Sequence, residues 1–532
     1  MIHSIHGTRG MAVAPHALAA QSALEVLREG GNALEAMIAA GATITVVYPH
    51  MNSIGGDSFW LMRVPRRAPQ GIDACGAAAR GATREWYAAR GITRGIPFRG
   101  GVAANTVAGT ISGWDLAFKL SRKWGGRLPL KRLLADAIHY AEHGVVVTNS
   151  QAENTAKKRG ELESQPGFRE AFLPGGAAPT AGSLFKQPRV AATLTRLARA
   201  GLGDFYHGRL ARATAADLAA VGSPLTLKDL GRHRAKVVAP LALGHSLGTV
   251  YNLPPPTQGL VSLLILGMLD ALEVGRTGPH SADYVHLAVE AAKRAFAIRD
   301  RYVTDPAYMT VRAQALLARV RVHELAAQID RGRAAPWSAG GGPSDTVWMG
   351  VVDGAGRAVS MIQSLYHEFG SGVVLEQTGI NWQNRGCSFS LDENSLNFLK
   401  PGRKPFHTLN PALAVFRDGR TLVYGTMGGD GQPQTQSAVF TRIAVFGMDP
   451  QSAVAAPRWL LGRNWGETSD MLKLESRFPA VVPATLGSYG HEIEILQDYD
   501  ETMGHAGAIV RHSNGVLEGG ADPRSDGAVA AF

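Results

Sequence analysis

Cysteine is nearly absent: Cys75 and Cys387 are the two thiols in a chain of 532 residues. They lie far apart and match neither a disulfide framework nor a metal-ligand spacing, so a fold held by its core alone, in a reducing compartment, is expected. Long apolar runs are also missing. No stretch reaches the roughly 18 apolar residues of a membrane-spanning helix. The opening residues, Met1-Ile-His-Ser-Ile-His-Gly-Thr-Arg-Gly10, contain no apolar signal core. These absences point to a cytoplasmic protein without a membrane partner. Internal repeats and low-complexity tracts are lacking. So are lysine/arginine runs interleaved with aromatics, which argues against a nucleic-acid partner despite a net charge of +10. The scattered basic residues imply a basic surface or an anionic ligand.

Glycine, in contrast, is abundant, at 63 residues, and implies many tight turns and close backbone approaches. A composition of 45% hydrophobic and 18% charged residues is that of a globular protein. The length exceeds one ordinary core and predicts one large or two coupled domains. Leu18, Ala20, Leu24 and Leu27 share a helical face that ends at Gly30-Gly31, and Asn32 can cap a following helix from Ala33 to about Ala42. A long helix is predicted over Ala282 to Tyr302. Ser53 to Met62 reads as a glycine turn entering a strand. Short β-like runs recur at Val347–Val352, Ala358–Gln363, Ala412–Phe416 and Thr421–Tyr424, with hairpin turns at Asp353-Gly354 and Asp418-Gly419. Helices first and strands concentrated later predict a layered α/β protein with mainly antiparallel sheets. One linker-like stretch, about Gly332 to Ser344, precedes the second half.

That linker delivers Asp345-Thr346-Val347-Trp348 to the start of a strand. A backbone break before Thr346 would leave a free α-amine beside the threonine's own hydroxyl. An alkyl hydroxyl is a poor nucleophile at neutral pH, but an α-amine, with a pKa of roughly 7.7–8.0, can take its proton. Read alone, the segment is equally a hydroxyl at the start of a buried strand. Downstream, Gly425-Thr-Met-Gly-Gly-Asp-Gly-Gln432 follows a predicted strand. Successive glycines let backbone N–H groups converge as an anion nest fit for an acyl-transfer oxyanion. No Lys-Ser/Thr follows them and no Gly-x-Gly-x-x-Gly unit is present, so phosphate and dinucleotide loops are excluded. A tight turn without chemistry stays open.

Several stretches together resemble the γ-glutamyltranspeptidase family of N-terminal nucleophile hydrolases over nearly the whole chain. They are Gly30-Gly-Asn-Ala-Leu-Glu-Ala36 with Ile54-Gly-Gly-Asp57, Leu253-Pro-Pro-Pro-Thr-Gln-Gly259, Ala295-Phe-Ala-Ile-Arg-Asp-Arg-Tyr302, Phe369-Gly-Ser-Gly372, Gly428-Gly429 and Ala521-Asp-Pro-Arg524. The resemblance implies a four-layer αββα sandwich and a precursor that cleaves itself between Asp345 and Thr346. The products, residues 1–345 and 346–532, would form one intertwined domain as an αβ heterodimer, with a dimer of heterodimers as a further option. It implies Thr346 as nucleophile, its α-amine as base and Gly428 and Gly429 as the oxyanion pair. Ser364 falls where the family has a threonine bonded to the nucleophile, and Tyr366 replaces an asparagine. No cofactor or metal is implied.

The substrate clamp departs from the family pattern. The family's Asp-Phe-Arg-Glu stretch, whose arginine grips the γ-glutamyl carboxylate, reads Asp73-Ala74-Cys75-Gly76 here. The acidic pair for the substrate amine becomes Cys387 and Ser388. Two carboxylate-gripping serines become His407 and Thr408. A hydrogen bond to a charged group is worth about 1.5–3 kcal/mol, so these losses select against γ-glutamyl substrates. Arg385, His407 and Arg80 are cations that can face an anion. Arg385 suits a carboxylate bidentately, with a structural salt bridge as its alternative; His407 either donates to the substrate or caps a loop, and Tyr366 reads as pocket wall. Ile362 to Phe369, Asn384-Arg-Gly386, Lys404 to Pro411 and Gly428 to Gln434 resemble the family branch that hydrolyses oxamate to oxalate and ammonia in purine-ring breakdown. The expected activity is therefore hydrolysis of a small anionic amide, with Arg385, His407, Thr408 and Tyr366 binding it. A γ-glutamyl hydrolase, transpeptidase or related acylase is the alternative.

Overall fold

The alternating run after Thr346 explains the architecture. In the computed structural model, which describes residues 3–337, 345–462 and 469–532, Val347, Met349 and Val351 enter one apolar core while Trp348 and Val352 enter another. Side chains of a strand point alternately to opposite faces, so this strand is covered on both sides. The neighbouring strand behaves alike: Val359 and Met361 face the first core, Ala358 and Ile362 the second.

Two antiparallel sheets of seven strands result. One runs, in spatial order, through Ile5–Gly7, Leu517–Ala521, Ala506–Arg511, Thr421–Thr426, Ala412–Phe416, Gly248–Asn252 and Leu241–His245. The other runs through Ala528–Ala531, Gly10–Ala14, Asp345–Asp353, Ala358–Tyr366, Asp57–Arg63, Gln70–Ala74 and Lys236–Val238. Met11, Phe59, Trp348 and Ile362 of the second sheet meet Leu413, Val423 and Ile509 of the first in the central core. Helices Ala17–Arg28, Ala33–Val47 and Thr110–Lys123 cover the outer face of the second sheet, and Gly259–Ala271, Ala282–Tyr302 and Gly431–Ala444 cover that of the first. Helix, sheet, sheet and helix thus form the expected αββα sandwich. Both sheets take strands from either side of residue 345, so the two halves of the chain are interleaved in every layer that carries strands.

The predicted helices and strands are present, with instructive differences. The helix after Asn32 runs to Val47 rather than Ala42. Asn32 caps it, accepting from Leu34 and Glu35 N–H, while Glu35 returns a bond to Asn32 N–H. The β-branched run Thr43–Val47 stays helical because every residue of the helix is buried, and packing overrides its low propensity. The hairpin turns occur where expected, but the left-handed residue of the first is Gly356 rather than Gly354. The expectation of helices first and strands later fails: six of the strands just named lie between Gly10 and Asn252. They are short runs buried or paired by distant segments, so they carry little local periodicity. The described part of the linker, Gly332–Trp337, has no helix or strand but is tied down, with Ala334 N–H donating to Tyr489 O at 2.7 Å; residues 338–344 lie outside the described residues. Among the described residues no helix is long and apolar enough to cross a membrane.

One contact sets the relation of the two sheets near their shared end. The Trp348 indole lies directly over Gly425, where any Cβ would collide with the ring, and its Nε1 donates to Ser360 Oγ at 2.9 Å. Gly425→Ala should therefore displace Trp348 and cost about 1–3 kcal/mol of stability through overpacking. Chemical denaturation, with the midpoint shifted and the slope unchanged, checks this.

Candidate active site

Trp348 and Gly425 bring the start of the Asp345–Asp353 strand beside the end of the Thr421–Thr426 strand, and the predicted catalytic residues flank that contact. Thr346 is fully buried. Asp345 pairs with Tyr366 and Val347 with Gln363, so Thr346 alone opposes two residues, Ser364 and Leu365. This is a β-bulge, a device that re-aims a side chain beside a site. The bulge bends the chain sharply. Ser364 Oγ accepts the Tyr366 N–H at 2.7 Å, and Tyr366 adopts φ 88°, a left-handed conformation that costs a non-glycine residue energy. Beneath the bulge the main chain of Gly56 passes against the Ser364 carbonyl so closely that no Cβ fits. This explains the first glycines of Ile54-Gly-Gly-Asp57.

Past Gly425, Gly428 and Gly429 have φ 112° and 49°. Glycine adopts positive φ without the strain a Cβ would bring, so this tight turn requires it at both positions. The loop is fixed: Gln258 Nε2 donates to Gly429 O at 2.7 Å and to Thr408 O at 3.0 Å, and Gly431 N–H donates to Gly428 O at 2.7 Å. Asp430, next in sequence, forms an ion pair with Arg299 at 2.8 Å.

A cavity of about 370 Å³ opens at Asp430, with Tyr366, Thr408, Cys387 and Ser388 among its walls. The carboxylates that line it, Asp300 and Asp430, are both engaged by Arg299, each at 2.8 Å. Cys387 is neutral there, because burial pushes its thiol up to about 12. Each of the two carboxylates is thus ion-paired, although they share a single guanidinium. Behind it stands Arg385, fully buried. Its Nη1 donates to Phe406 O at 3.1 Å and its Nη2 to Thr408 Oγ1 at 3.0 Å. The Tyr366 ring covers the guanidinium, with its centroid 3.4 Å away. Among the described residues Arg385 enters no ion pair. Burial lowers its basicity, while a guanidinium stays charged in proteins, so the cavity is backed by an uncompensated positive charge.

His407 is not among the residues that line this cavity. It is buried, and its Nε2 lies 3.1 Å from Asp57 Oδ2. Asp57 Oδ1 accepts N–H groups from Gly76 and Gly109, each at 3.0 Å. Burial pushes the Asp57 carboxyl up to about 7 and holds the His407 imidazole well below its usual range. The Cys75 thiol, raised by burial, lies within 4.8 Å of both ligand atoms. Asp57, Cys75 and His407 have the donor types of a metal site, yet Asp57 already takes three hydrogen bonds, and the positive charges of Arg385 and Lys404 act on His407; the trio is held by its own bonds. In a second such group, His286 Nδ1 lies 2.8 Å from His491 Nε2 and Glu290 binds Lys293 at 2.7 Å.

The structure gathers Ser364, Tyr366, Arg385 and Thr408 with the turn at Gly428 and Gly429 and the bulge at Thr346. Arg80 is not among them and lines another cavity. Asp57, Arg299 and Gln258 were missed as site residues. A signal for Asp57 existed, namely a lone carboxylate at the mouth of the apolar run Phe59–Met62. The cysteines, distant in sequence, flank Arg385 on two sides as neutral groups.

Asp57 generates a pH prediction. Its carboxyl ionises near 7 in the fold against about 3.9 in the unfolded chain, so unfolding releases protons between these values and the fold weakens as pH rises from 4 to 7. Asp57→Asn can keep both backbone N–H bonds and donate to His407 Nε2. Wild type should lose up to about 4 kcal/mol relative to Asp57→Asn across this window, at 1.36 kcal/mol per unit. Denaturation midpoints of the two proteins at pH 4, 5.5 and 7 check the sign.

Comparison with known proteins agrees with this geometry. The model of the gamma-glutamyltranspeptidase family matches residues 19–532. The chain is 58% identical over 526 residues to the oxamate amidohydrolase proenzyme of Klebsiella pneumoniae subsp. pneumoniae, covering 99% of each chain. It is 41% identical over 533 residues to the glutathione hydrolase-like YwrD proenzyme of Bacillus subtilis, covering 100% of each. The structure of cephalosporin acylase from Bacillus halodurans superposes with a TM-score of 0.91 at 34% identity, over 100% of this chain and 97% of that one. The family match over residues 19–532 and the αββα sandwich agree with one another, and the chain belongs to the gamma-glutamyltranspeptidase family as one of its amidohydrolases.

Proposed function

We propose that this protein hydrolyses a small anionic amide, oxamate being the best fit, with Thr346 as its nucleophile. The observation that carries this reading is the charge distribution at the cavity. Arg385 lies uncompensated behind Tyr366 and Thr408, while Asp300 and Asp430 are occupied by Arg299. An amine-bearing γ-glutamyl group finds no carboxylate without an ion-pair partner, whereas a substrate carboxylate finds in Arg385 a cation without one. The 58% identity to an oxamate amidohydrolase proenzyme supports the same choice. A six-atom ligand has a binding ceiling of about 9 kcal/mol at roughly 1.5 kcal/mol per atom, which makes that charge necessary. The cavity volume of about 370 Å³ also admits a longer acyl group, and this supports an acylase of short carboxylated amides as the second reading.

The proenzyme names of the relatives support self-cleavage. Thr346 Oγ attacks the Asp345 carbonyl, the acyl group shifts from nitrogen to oxygen, and water hydrolyses the ester. Residues 1–345 and 346–532 result, still interleaved through both sheets as an αβ unit. The freed α-amine then takes the Thr346 hydroxyl proton while Oγ attacks the substrate amide carbon. The Gly428 and Gly429 N–H groups hold the oxyanion, the C–N bond breaks and ammonia leaves with a proton. Water cleaves the acyl ester, releasing the carboxylate and restoring the threonine. Base catalysis and the nest each contribute on the order of 3–5 kcal/mol to the barrier reduction.

Thr346→Ala should remain one uncut chain on a denaturing gel and release no ammonia from oxamate; a variant that still matures into two chains refutes the scheme. Wild type should turn over oxamate and leave a γ-glutamyl anilide intact. Arg385→Gln, provided that it matures into two chains, should lose at least tenfold in kcat/KM on oxamate, as removal of a charged partner costs about 1.5–3 kcal/mol.

A further inference from the structure

A second cavity, of about 480 Å³, reaches the Asp57–His407 pair through a different set of residues. Cys75 lines it, and the Cys75 sulfur lies within 4.8 Å of the ligand atoms of Asp57 and His407. None of its lining residues lines the cavity at Tyr366. Its wall is strongly basic: Arg80, Arg232, Arg234, Lys236 and Lys404 all contribute, with His233 among them.

Five cations face two carboxylates on this wall, so it keeps a net positive charge. Two carboxylates line the cavity, and local main chain occupies both. Asp229 accepts from Thr226 and Arg80 N–H, and Asp305 accepts from Ala307 and Lys404 N–H. Lys404 has a carboxylate partner, Asp73 at 2.5 Å. Among the described residues Arg80, Arg232, Arg234 and Lys236 enter no ion pair, and Arg234 bonds only the carbonyls of Gly231 and His233. The field is felt locally: His233 is brought down to about 3 by burial first and then by Lys404, Arg234 and Lys236, and its Nε2 is buried without a partner. Like charges gathered around a concave space repel one another, and a bound counter-ion relieves this. The space is of small-ligand size and has no aromatic platform, so it is not built for single-stranded nucleic acid.

We propose that this cavity is a binding site for a small oxyanion bearing two or more negative charges, a phosphate or a dicarboxylate, separate from the amide-cleaving cavity. Its floor at Cys75 adjoins the buried pair behind Arg385, so an occupant sits beside the reaction centre without entering it.

Titration calorimetry of the full chain at low ionic strength tests this, with inorganic phosphate and oxalate in separate arms. At least one ion should bind with one-to-one stoichiometry, and the two arms tell phosphate from dicarboxylate. Arg80 and Lys236 are exposed, so the double variant Arg80→Gln, Lys236→Gln should keep the thermal midpoint and the amide turnover. Its affinity for the favoured ion should fall at least tenfold, and that of wild type should fall with added chloride. Equal affinity in the variant, no saturable binding of either ion, or retention on heparin without binding of the small ions overturns the proposal. The titration reads binding alone, so it stands apart from the amide reaction proposed above.

Discussion

The candidate site depends on a strand that is buried on both faces. Because Val347, Met349 and Val351 fill one core and Trp348 and Val352 the other, the Asp345–Asp353 strand cannot slip by one residue without exchanging the two sets. Its register is therefore fixed far more firmly than its ends. The irregularity that the site needs is confined to the first residues, where Thr346 opposes both Ser364 and Leu365. The rigid part of the strand positions the bulge, and the bulge positions the hydroxyl. The Trp348–Gly425 contact carries the same positional information to the opposite sheet, from which the loop of Gly428 and Gly429 continues.

Much of this was legible in the sequence, and the legible parts share a physical cause. Asn32 and Glu35 form a local capping box, Asp353 and Asp418 sit at hairpin turns, and the alternation after Thr346 is a period-two signal. Each is decided within a few residues. The αββα order, and the proposal of Thr346 as nucleophile, rest on motif resemblance, since no local pattern tells a reactive threonine at a strand mouth from a buried hydroxyl. What could not be read was long-range. Apart from Asp57–Arg63, announced by the glycine turn before it, the strands between Gly10 and Asn252 depend on partners from other parts of the chain. The pairing of Asp57 with His407 joins residues whose separation in sequence gives no hint of a contact. Arg385 was identified as a cation for the substrate, but its covering by Tyr366 and its bonds to Phe406 and Thr408 emerge only from the packing.

The electrostatics of the site follow from replacing charge with bulk. Burying an ion without a partner costs several kcal/mol even after relaxation, so an uncompensated Arg385 is hard to explain as a stabilising device. The surrounding bonds lower that cost without cancelling the charge: the Phe406 carbonyl, the Thr408 hydroxyl and the Tyr366 ring are all neutral. Asp57 is the nearby acid, but its two oxygens are directed at Gly76, Gly109 and His407. A residual positive field is what a small carboxylate needs, and the neutral Cys387 and Ser388 remove what a substrate amine would need. Under the proposed function, selectivity rests as much on absent partners as on present ones.

Cys75 links this site to the rest of the molecule. It stands where the family resemblance expects a carboxylate-gripping arginine, and its small neutral side chain lies within 4.8 Å of the ligand atoms of Asp57 and His407. A guanidinium at that position would lie within reach of both Asp57 and Lys404, neutralising the first and repelling the second. With cysteine there, Lys404 pairs outward with Asp73, and the basic wall of Arg80, Arg232, Arg234 and Lys236 keeps its charge. The loss of one arginine therefore bears on two places at once: it leaves Arg385 as the cation proposed for the substrate carboxylate on one side and a cationic hollow on the other.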